Sequence, residues 1–114
     1  MLLYKCQWAE IPPYEERNIK SSFHVYLLRI NGISEKIRDK IIQSVFDKKV
    51  AVNVHFIPLP MMTYYRNAGY QMENYPVSYD NYAREISLPV YYNLTDDMVQ
   101  TVIKAVVQSV EDNI

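Results

Sequence analysis

The segment from Ser22 to Ile30 (SFHVYLLRI) places the strongest constraint on how this 114-residue chain can fold. It is rich in aromatic and β-branched residues and is followed by the turn signal Asn31-Gly32, so it is predicted to be a β-strand. Apolar side chains occupy both of its faces. Because such a strand must be shielded from water on both sides, we expect other elements to pack around it.

Two amphipathic segments are predicted to be helices. Ser34 is a predicted N-cap, and the apolar residues after it recur at helical spacing to about Lys48. Thr95 is the predicted N-cap of a second helix, with Asp96 and Asp97 in its first turn, where carboxylates stabilise the helix dipole. The apolar stripe predicted to be buried on this helix consists of Val99, Val102, Ile103, Val106, Val107 and Val110.

The segment Val50 to Phe56 (VAVNVHF) alternates between apolar and more polar residues. Its valines and Phe56 fall on one face, and Asn53 and His55 fall on the other. That alternation is typical of a half-buried strand and directs His55 away from the valine face.

Between this segment and the last helix the pattern is mixed. Residues 57–75 are predicted to be loop-like, with a candidate short helix at Met62–Asn67. Pro76 can open another helix, whose apolar face would consist of Tyr79, Tyr82, Ala83 and Ile86. Leu88-Pro89-Val90 is predicted to be extended, at an edge or strand end because of the proline.

These elements predict an α+β fold with a short, mainly antiparallel sheet and helices packed on it, in the order β-α-β-(α)-α-β-α. Residues 1–20 contain Pro12-Pro13 and a charged stretch, so they are predicted to be a connecting arm outside the core. Residues 21–114 are then predicted to be one small domain.

Composition argues against several partners. The net charge is −1 and basic residues do not cluster, so nucleic acid is not an expected partner. No apolar run reaches the length of a membrane span, so no membrane partner is expected. A single cysteine, Cys6, cannot form an internal disulfide and fits a cytoplasmic protein. With two glycines in the chain, a glycine-rich phosphate-binding loop is not expected.

His24 and His55 are the only histidines, and their number and spacing do not favour a metal site. His24 falls within the apolar strand and is interpreted as a hydrogen-bonded structural residue. His55 lies on a polar face before a tyrosine-rich loop, and ligand contact and simple exposure both remain open for it. Tyr64 and Tyr65 fit either contact with a ligand or packing against a neighbouring domain.

Three segments in order resemble the C-terminal domain of the DegT/StrS-type sugar aminotransferases. They are SSFHVYLLRI at Ser21–Ile30, VNVHFIPLPMMTYYRNAGY at Val52–Tyr70 and ISLPVYYNLTDDMVQTVIKAV at Ile86–Val106. The resemblance implies the small C-terminal domain of a fold-type-I enzyme that uses pyridoxal phosphate (PLP). Such enzymes are dimers that move an amino group, usually from glutamate, onto a keto sugar linked to a nucleotide.

The resemblance also implies roles for particular residues. His55 matches the family's histidine near the sugar nucleotide, and Tyr64 and Tyr65 match an aromatic pair with a less defined role in substrate binding. None of the lysines matches the family's PLP lysine, which precedes a glycine-rich stretch. We therefore expect no catalytic, cofactor-binding or metal residues here, and a chain that is inactive alone without the catalytic N-terminal domain.

The alternative hypothesis is a free-standing binding or oligomerisation module without transaminase activity. An apolar face that normally meets a larger domain would be exposed in such a module and would favour association. We therefore expect either a homo-oligomer or a complex with the missing catalytic domain.

Overall fold

The computed structural model describes residues 2–114, and it confirms the predicted α+β fold with a small antiparallel sheet. Within those residues the strands are β1 (Ala9–Glu10), β2 (Glu15–Glu16), β3 (Ile19–Lys20), β4 (Tyr26–Ile30) and β5 (Glu85–Leu88). The helices are α1 (Glu35–Asp47), α2 (Thr63–Asn67), α3 (Pro76–Ala83) and α4 (Asp96–Glu111). Short 3-10 turns occupy Leu3–Lys5, Leu59–Met61 and Met72–Asn74.

The main sheet has the strand order β1-β4-β5, and both pairings are antiparallel. Leu28 lies opposite Ile86 across the β4–β5 pair, and Arg29 lies opposite Glu85. Because side chains alternate along a strand, the first pair faces one side of the sheet and the second pair faces the other. The strands β2 and β3 form a separate hairpin with exposed residues.

The core lies between the sheet and helices α1 and α4, which also contact each other. Leu28, Ile30 and Ile86 of the sheet are fully buried, and so are Ile41 of α1 and Val106 of α4. The apolar spacing predicted from the sequence therefore accounts for the inner faces of both helices. The opposite face of the sheet carries Glu85 and Ser87, which belong to the candidate site described below.

Both predicted N-caps are confirmed. The Ser34 hydroxyl accepts a hydrogen bond from the Ile37 backbone N–H at 3.4 Å, and the Thr95 hydroxyl accepts one from the Met98 backbone N–H at 3.3 Å. A side-chain oxygen at this position satisfies one of the backbone donors that the first turn leaves unpaired. This is why α1 and α4 begin where the sequence predicts.

Arg38 of α1 joins this helix to the start of β5, although its side chain is only 2% exposed. Its Nη1 donates hydrogen bonds to the backbone carbonyls of Tyr82 at 2.6 Å and Glu85 at 3.3 Å, and its Nε donates to Asp39 at 2.7 Å. The guanidinium also lies over the Tyr82 ring, 4.8 Å from the centroid. A buried charge needs this many partners because it has lost its water.

The strand predicted at Ser22 to Ile30 begins four residues later than expected. Only Tyr26–Ile30 forms β4, and Phe23 lies before it with a φ of +47°. A positive φ is incompatible with a β-ladder, so the chain turns there. The interpretation of His24 as a hydrogen-bonded residue within the strand is wrong, because His24 lies outside β4 and is exposed.

Two further element predictions were wrong in part. The segment Val50 to Phe56 does not form the predicted strand, because it pairs with β5 only through a single bridge, between Asn53 and Ser87. Val50 and Val52 are buried as predicted, whereas Phe56 is 64% exposed. Ile86 does not belong to the face of α3, because that helix ends at Ala83 and the chain continues into β5.

The first twenty residues do not lie wholly outside the core. Leu3 is buried among the core residues, and Trp8 packs against them. Ala9 pairs with Ile30 and Glu10 pairs with Arg29, so β1 covers the edge of β4 that β5 leaves unpaired. An edge of that kind has backbone groups that need partners, which explains why this irregular segment is held against the sheet.

Candidate functional site

His55, Ser87 and Glu85 form a hydrogen-bonded network on the face of the sheet opposite the core. His55 Nδ1 lies 2.7 Å from the Ser87 hydroxyl oxygen. That hydroxyl donates to Glu85 Oε1 at 2.5 Å, and Glu85 Oε2 accepts the backbone N–H of His55 at 3.1 Å. The three residues therefore form a closed loop of contacts between β5 and the segment beside it.

The strand geometry explains why these residues meet. Glu85 and Ser87 are two apart in β5, so their side chains lie on the same face. Asn53 and Ser87 exchange two backbone hydrogen bonds, of 2.7 and 3.1 Å, which align the segment 50–54 beside β5. His55 follows that pairing directly, and its backbone and its ring reach Glu85 and Ser87 respectively.

Glu85 is buried, with 4% of its surface exposed. Burial raises the pKa of this carboxyl above its usual range, since a desolvated carboxylate is disfavoured. The hydrogen bonds from Ser87 and from the His55 backbone act in the opposite direction, as do the nearby charges of His55 and Arg38. The network thus compensates part of the cost of burying an acid.

The His55 side chain lies between two cavities. One, of about 400 Å³, is lined by polar groups of His24, Asn53 and Ser87 and by apolar residues that include Val52 and Val90. The other, of about 330 Å³, is lined by Leu27, Arg29, Phe56, Pro58, Ser78, Asn81, Tyr82 and Glu85. His55 itself is exposed, so a ligand in either cavity can reach its ring.

Arg29 is the cation of the second cavity, and its charge is already paired. Its Nη2 lies 2.5 Å from Glu10 Oε1, and its Nη1 donates to Asn81 at 2.7 Å. Arg84 shares the same glutamate, at 2.9 Å from the other carboxylate oxygen. Arg29 therefore links β4 to β1 and α3.

Tyr64 and Tyr65 lie in α2, away from the network. Tyr64 is 78% exposed, and its ring meets that of Tyr65 edge-on at 5.3 Å. Tyr65 lines a third cavity, of about 340 Å³, together with Tyr70 and Tyr75. The structure does not bring this pair into either His55 cavity, although Ser78 lines both the third cavity and the one beside Glu85.

The sequence profile of the DegT/DnrJ/EryC1/StrS aminotransferase family matches residues 2–107 of this chain. The chain belongs to that family. The resemblance inferred from its three sequence segments is thereby confirmed.

Relatives of known sequence or structure agree with this assignment. The chain is 39% identical over 105 residues to the uncharacterized protein MJ1066 of Methanocaldococcus jannaschii. It is 30% identical over 110 residues to the spore coat polysaccharide biosynthesis protein SpsC of Bacillus subtilis. Each alignment covers 90% of this chain, but only 27% of MJ1066 and 28% of SpsC.

The fold matches a solved family structure as well. Spr1654 of Streptococcus pneumoniae, a candidate sugar aminotransferase solved in its PMP form, superposes with a TM-score of 0.93 at 32% identity. The superposition covers 97% of this chain and 28% of Spr1654. The chain therefore spans a little over a quarter of the length of these relatives.

Spr1654 has also been solved in a PLP form, which raises the question of whether this chain can hold that cofactor. A PLP site in this type of enzyme needs a lysine shielded from water that bonds the cofactor aldehyde. All seven lysines of this family member are exposed in the structure. The described residues therefore do not fit a complete PLP site, and we assign no reaction step through the cofactor to them.

The described residues, 2–114, also contain no group of three or more histidine, cysteine or acidic side chains placed to hold a metal ion. Over the same residues, none of the helices combines the length and the apolar character that crossing a membrane requires.

Sequence reasoning identified His55 but missed Glu85 and Ser87. The available signal was the spacing of two between them, which places both on one face of a strand. It was not recognised because the predicted helix was extended to Ile86, which removed Glu85 from the strand. Their partner His55 lies 30 and 32 residues earlier, so local patterns carry no information about the contact.

Proposed function

We propose that this chain forms the substrate-side part of a PLP-dependent aminotransferase that acts on a nucleotide-linked keto sugar. The cofactor lysine would come from parts of the protein outside these residues. Family membership supports the reaction class, and the names of Spr1654 and SpsC support a sugar substrate and a role in polysaccharide synthesis. We propose the cytoplasm as its location.

The observation that carries this proposal is the orientation and exposure of the His55 ring. Its Nδ1 is engaged by Ser87 while the ring remains exposed between two cavities. A histidine with one nitrogen held by the protein has the other available to a ligand, in a defined orientation. We therefore propose His55 as the residue that contacts the sugar nucleotide.

Tyr64 and Tyr65 are proposed as further contacts with the same substrate. The exposure of Tyr64 leaves its ring open to stacking on a nucleobase or to hydrogen bonding through its hydroxyl. Because they lie on α2 and not in the His55 cavities, they would contact a different part of an extended ligand.

Titration of the 15N-labelled chain with UDP-glucose tests the binding half of the proposal. We expect amide and ring shifts at His55 and Ser87 that saturate, and we expect His55→Ala to weaken binding by roughly tenfold, the value of one ordinary hydrogen bond. Lys104→Met is the control, since Lys104 is exposed on α4 and lines neither of the His55 cavities. Equal affinity of His55→Ala and the unmodified chain would contradict the role of His55.

Mixing the chain with PLP tests the cofactor half. We expect no saturable aldimine absorbance band, because no lysine is shielded from water. A stable adduct at a single lysine after borohydride reduction would contradict this expectation.

A second candidate function is a binding or oligomerisation module. The observation that favours it is a set of exposed apolar side chains: Phe56, Leu59, Val77, Val90, Tyr91 and Tyr92. Such side chains promote association when they form a continuous patch. Sedimentation velocity, together with the UDP-glucose titration, distinguishes the two functions. Concentration-dependent dimerisation without any response to UDP-glucose favours the module, and a monomer at high concentration excludes it.

A further inference from the structure

We infer that Glu85 and Ser87 act as positioning residues that hold His55 in the tautomer protonated at Nδ1. Nε2 of His55 then presents a lone pair to the ligand. The identity of the ligand rests on the proposed function. The tautomer of His55 does not depend on it. The lone pair at Nε2 gives His55 a hydroxyl or amino group of the substrate as its partner.

The single proton of the Ser87 hydroxyl limits the directions that the hydrogen bonds of the network can take. A serine hydroxyl has one hydrogen to donate, and its oxygen can accept. Ser87 lies within hydrogen-bond distance of two groups, Glu85 Oε1 at 2.5 Å and His55 Nδ1 at 2.7 Å. It can donate to only one of them, so it must accept from the other.

The charge on Glu85 decides between the two directions. An ionised carboxylate can only accept, so Ser87 must donate to Glu85 and must accept from His55 Nδ1–H. A neutral Glu85 would instead donate a hydrogen bond to Ser87, and Ser87 would then donate to an unprotonated Nδ1 of His55. The two arrangements are exclusive, and each produces a different tautomer of His55.

Burial disfavours the carboxylate of Glu85, but its hydrogen-bond partners and the nearby cation act in the opposite direction and favour it. Oε2 accepts the backbone N–H of His55, a group that can only donate. The guanidinium of Arg38 bonds the backbone carbonyl of Glu85 itself, at 3.3 Å, and brings a positive charge to the same strand. Hydrogen bonds and a nearby cation both stabilise the ionised form.

A defined tautomer gives the site chemical selectivity. With Nδ1–H committed to Ser87, the neutral ring offers its ligand an acceptor at Nε2 and no second donor. A sugar hydroxyl or amine can donate to that nitrogen, whereas a phosphate ester oxygen or a ketone oxygen cannot. The inference therefore places the hydroxyl-bearing part of the ligand at His55, and its phosphates elsewhere.

Long-range 1H–15N correlation spectra of the full chain test this inference without any ligand. At a pH about two units above the ordinary histidine pKa of ~6.5, the imidazole is neutral and each nitrogen shows whether it carries the proton. We expect a pyrrole-like shift at Nδ1 and a pyridine-like shift at Nε2 of His55. Exposed His24 serves as the internal reference and should show the solution preference for Nε2–H.

Substitutions then test whether Ser87 and Glu85 fix the tautomer of His55. Ser87→Ala should release His55, so that the pyrrole-like and pyridine-like shifts exchange between its two nitrogens. Ser109→Ala is the matched control, because Ser109 is also buried but its hydroxyl makes no hydrogen bond within residues 2–114. Glu85→Gln is the second variant: it is close in shape and removes the charge, so the fraction of Nδ1–H should fall.

Three results would overturn the inference: an Nε2–H tautomer in the unmodified chain, an Nδ1–H tautomer that persists in Ser87→Ala, or an equal response to Ser109→Ala. The ligand assignment is tested separately with UDP-glucose and with UDP. Shifts at His55 Nε2 with UDP-glucose but not with UDP support it, and equal shifts contradict it. If the tautomer is as expected and neither probe moves His55, the proposed function fails while the positioning role stands.

Discussion

Replacement of Arg38 by methionine provides a quantitative test of how the site is supported. Methionine retains much of the aliphatic volume but none of the donors, so the buried carbonyl of Glu85 loses the guanidinium, and the carbonyl of Tyr82 keeps only the backbone N–H of Arg84. An unpaired buried acceptor costs about 1–3 kcal/mol, and loss of the cation over the Tyr82 ring costs about 1–2 kcal/mol. Relief of the desolvated charge offsets part of this, so we expect a loss of about 3 kcal/mol.

Urea unfolding followed by far-UV circular dichroism measures this loss, provided that the slope of the transition is unchanged. Arg66→Met controls for the removal of a surface charge, since Arg66 is exposed on α2, and it should change the free energy of unfolding by less than about 0.5 kcal/mol. If Arg38→Met unfolds within about 1 kcal/mol of the unmodified chain, Arg38 does not join α1 to β5 in the way described.

Three further predictions concern the core, a helix cap and pH. Leu3→Ala should destabilise the chain by about 2–3 kcal/mol in urea because Leu3 is buried, whereas Leu2→Ala should stay within about 1 kcal/mol because Leu2 is 42% exposed. Thr95→Ala should cost about 1 kcal/mol through the lost N-cap, and Thr101→Ala, in the second turn of α4, should not; equal losses would refute the capping role. The pKa of Glu85 is raised above 4.5, mainly by burial, so the folded chain binds this proton more tightly than the unfolded chain. Its contribution to stability is complete below the unfolded pKa and is lost as the pH rises through the folded pKa. The stability of the unmodified chain relative to Glu85→Gln should therefore fall as the pH rises above about 4.5, and a rise in that difference would contradict the sign.

The helices could be predicted from the sequence because their signals are local. Ser34 and Thr95 each precede a run of apolar residues at helical spacing, and both caps form where predicted. The strands were harder because a strand depends on its partner. Nothing in the local sequence shows that β4 begins only at Tyr26, or that the segment after Val50 pairs through a single bridge.

The residues of the candidate site could likewise be predicted from the sequence only in part. His55 could be identified from its polar strand face and from the family resemblance, and its ligand role stays a prediction. Glu85 and Ser87 could not be connected to it, because their contacts depend on the pairing of Asn53 with Ser87. Leu3 illustrates the same limit, since it is buried in a core built by residues distant in sequence and no pattern in the first twenty residues indicates this.

We propose that this chain supplies the substrate-facing wall of a sugar aminotransferase, with His55 on it. A chimera tests it most directly: the part of Spr1654 that superposes on this chain is replaced by residues 2–114, and transamination of a nucleotide-linked keto sugar is measured with glutamate as amino donor. His55→Ala in this chimera should lower kcat/KM for the keto sugar by about tenfold, mainly through KM, and should leave the glutamate half-reaction unchanged. An active chimera whose kcat/KM for the keto sugar does not respond to His55→Ala would contradict the proposed role of His55.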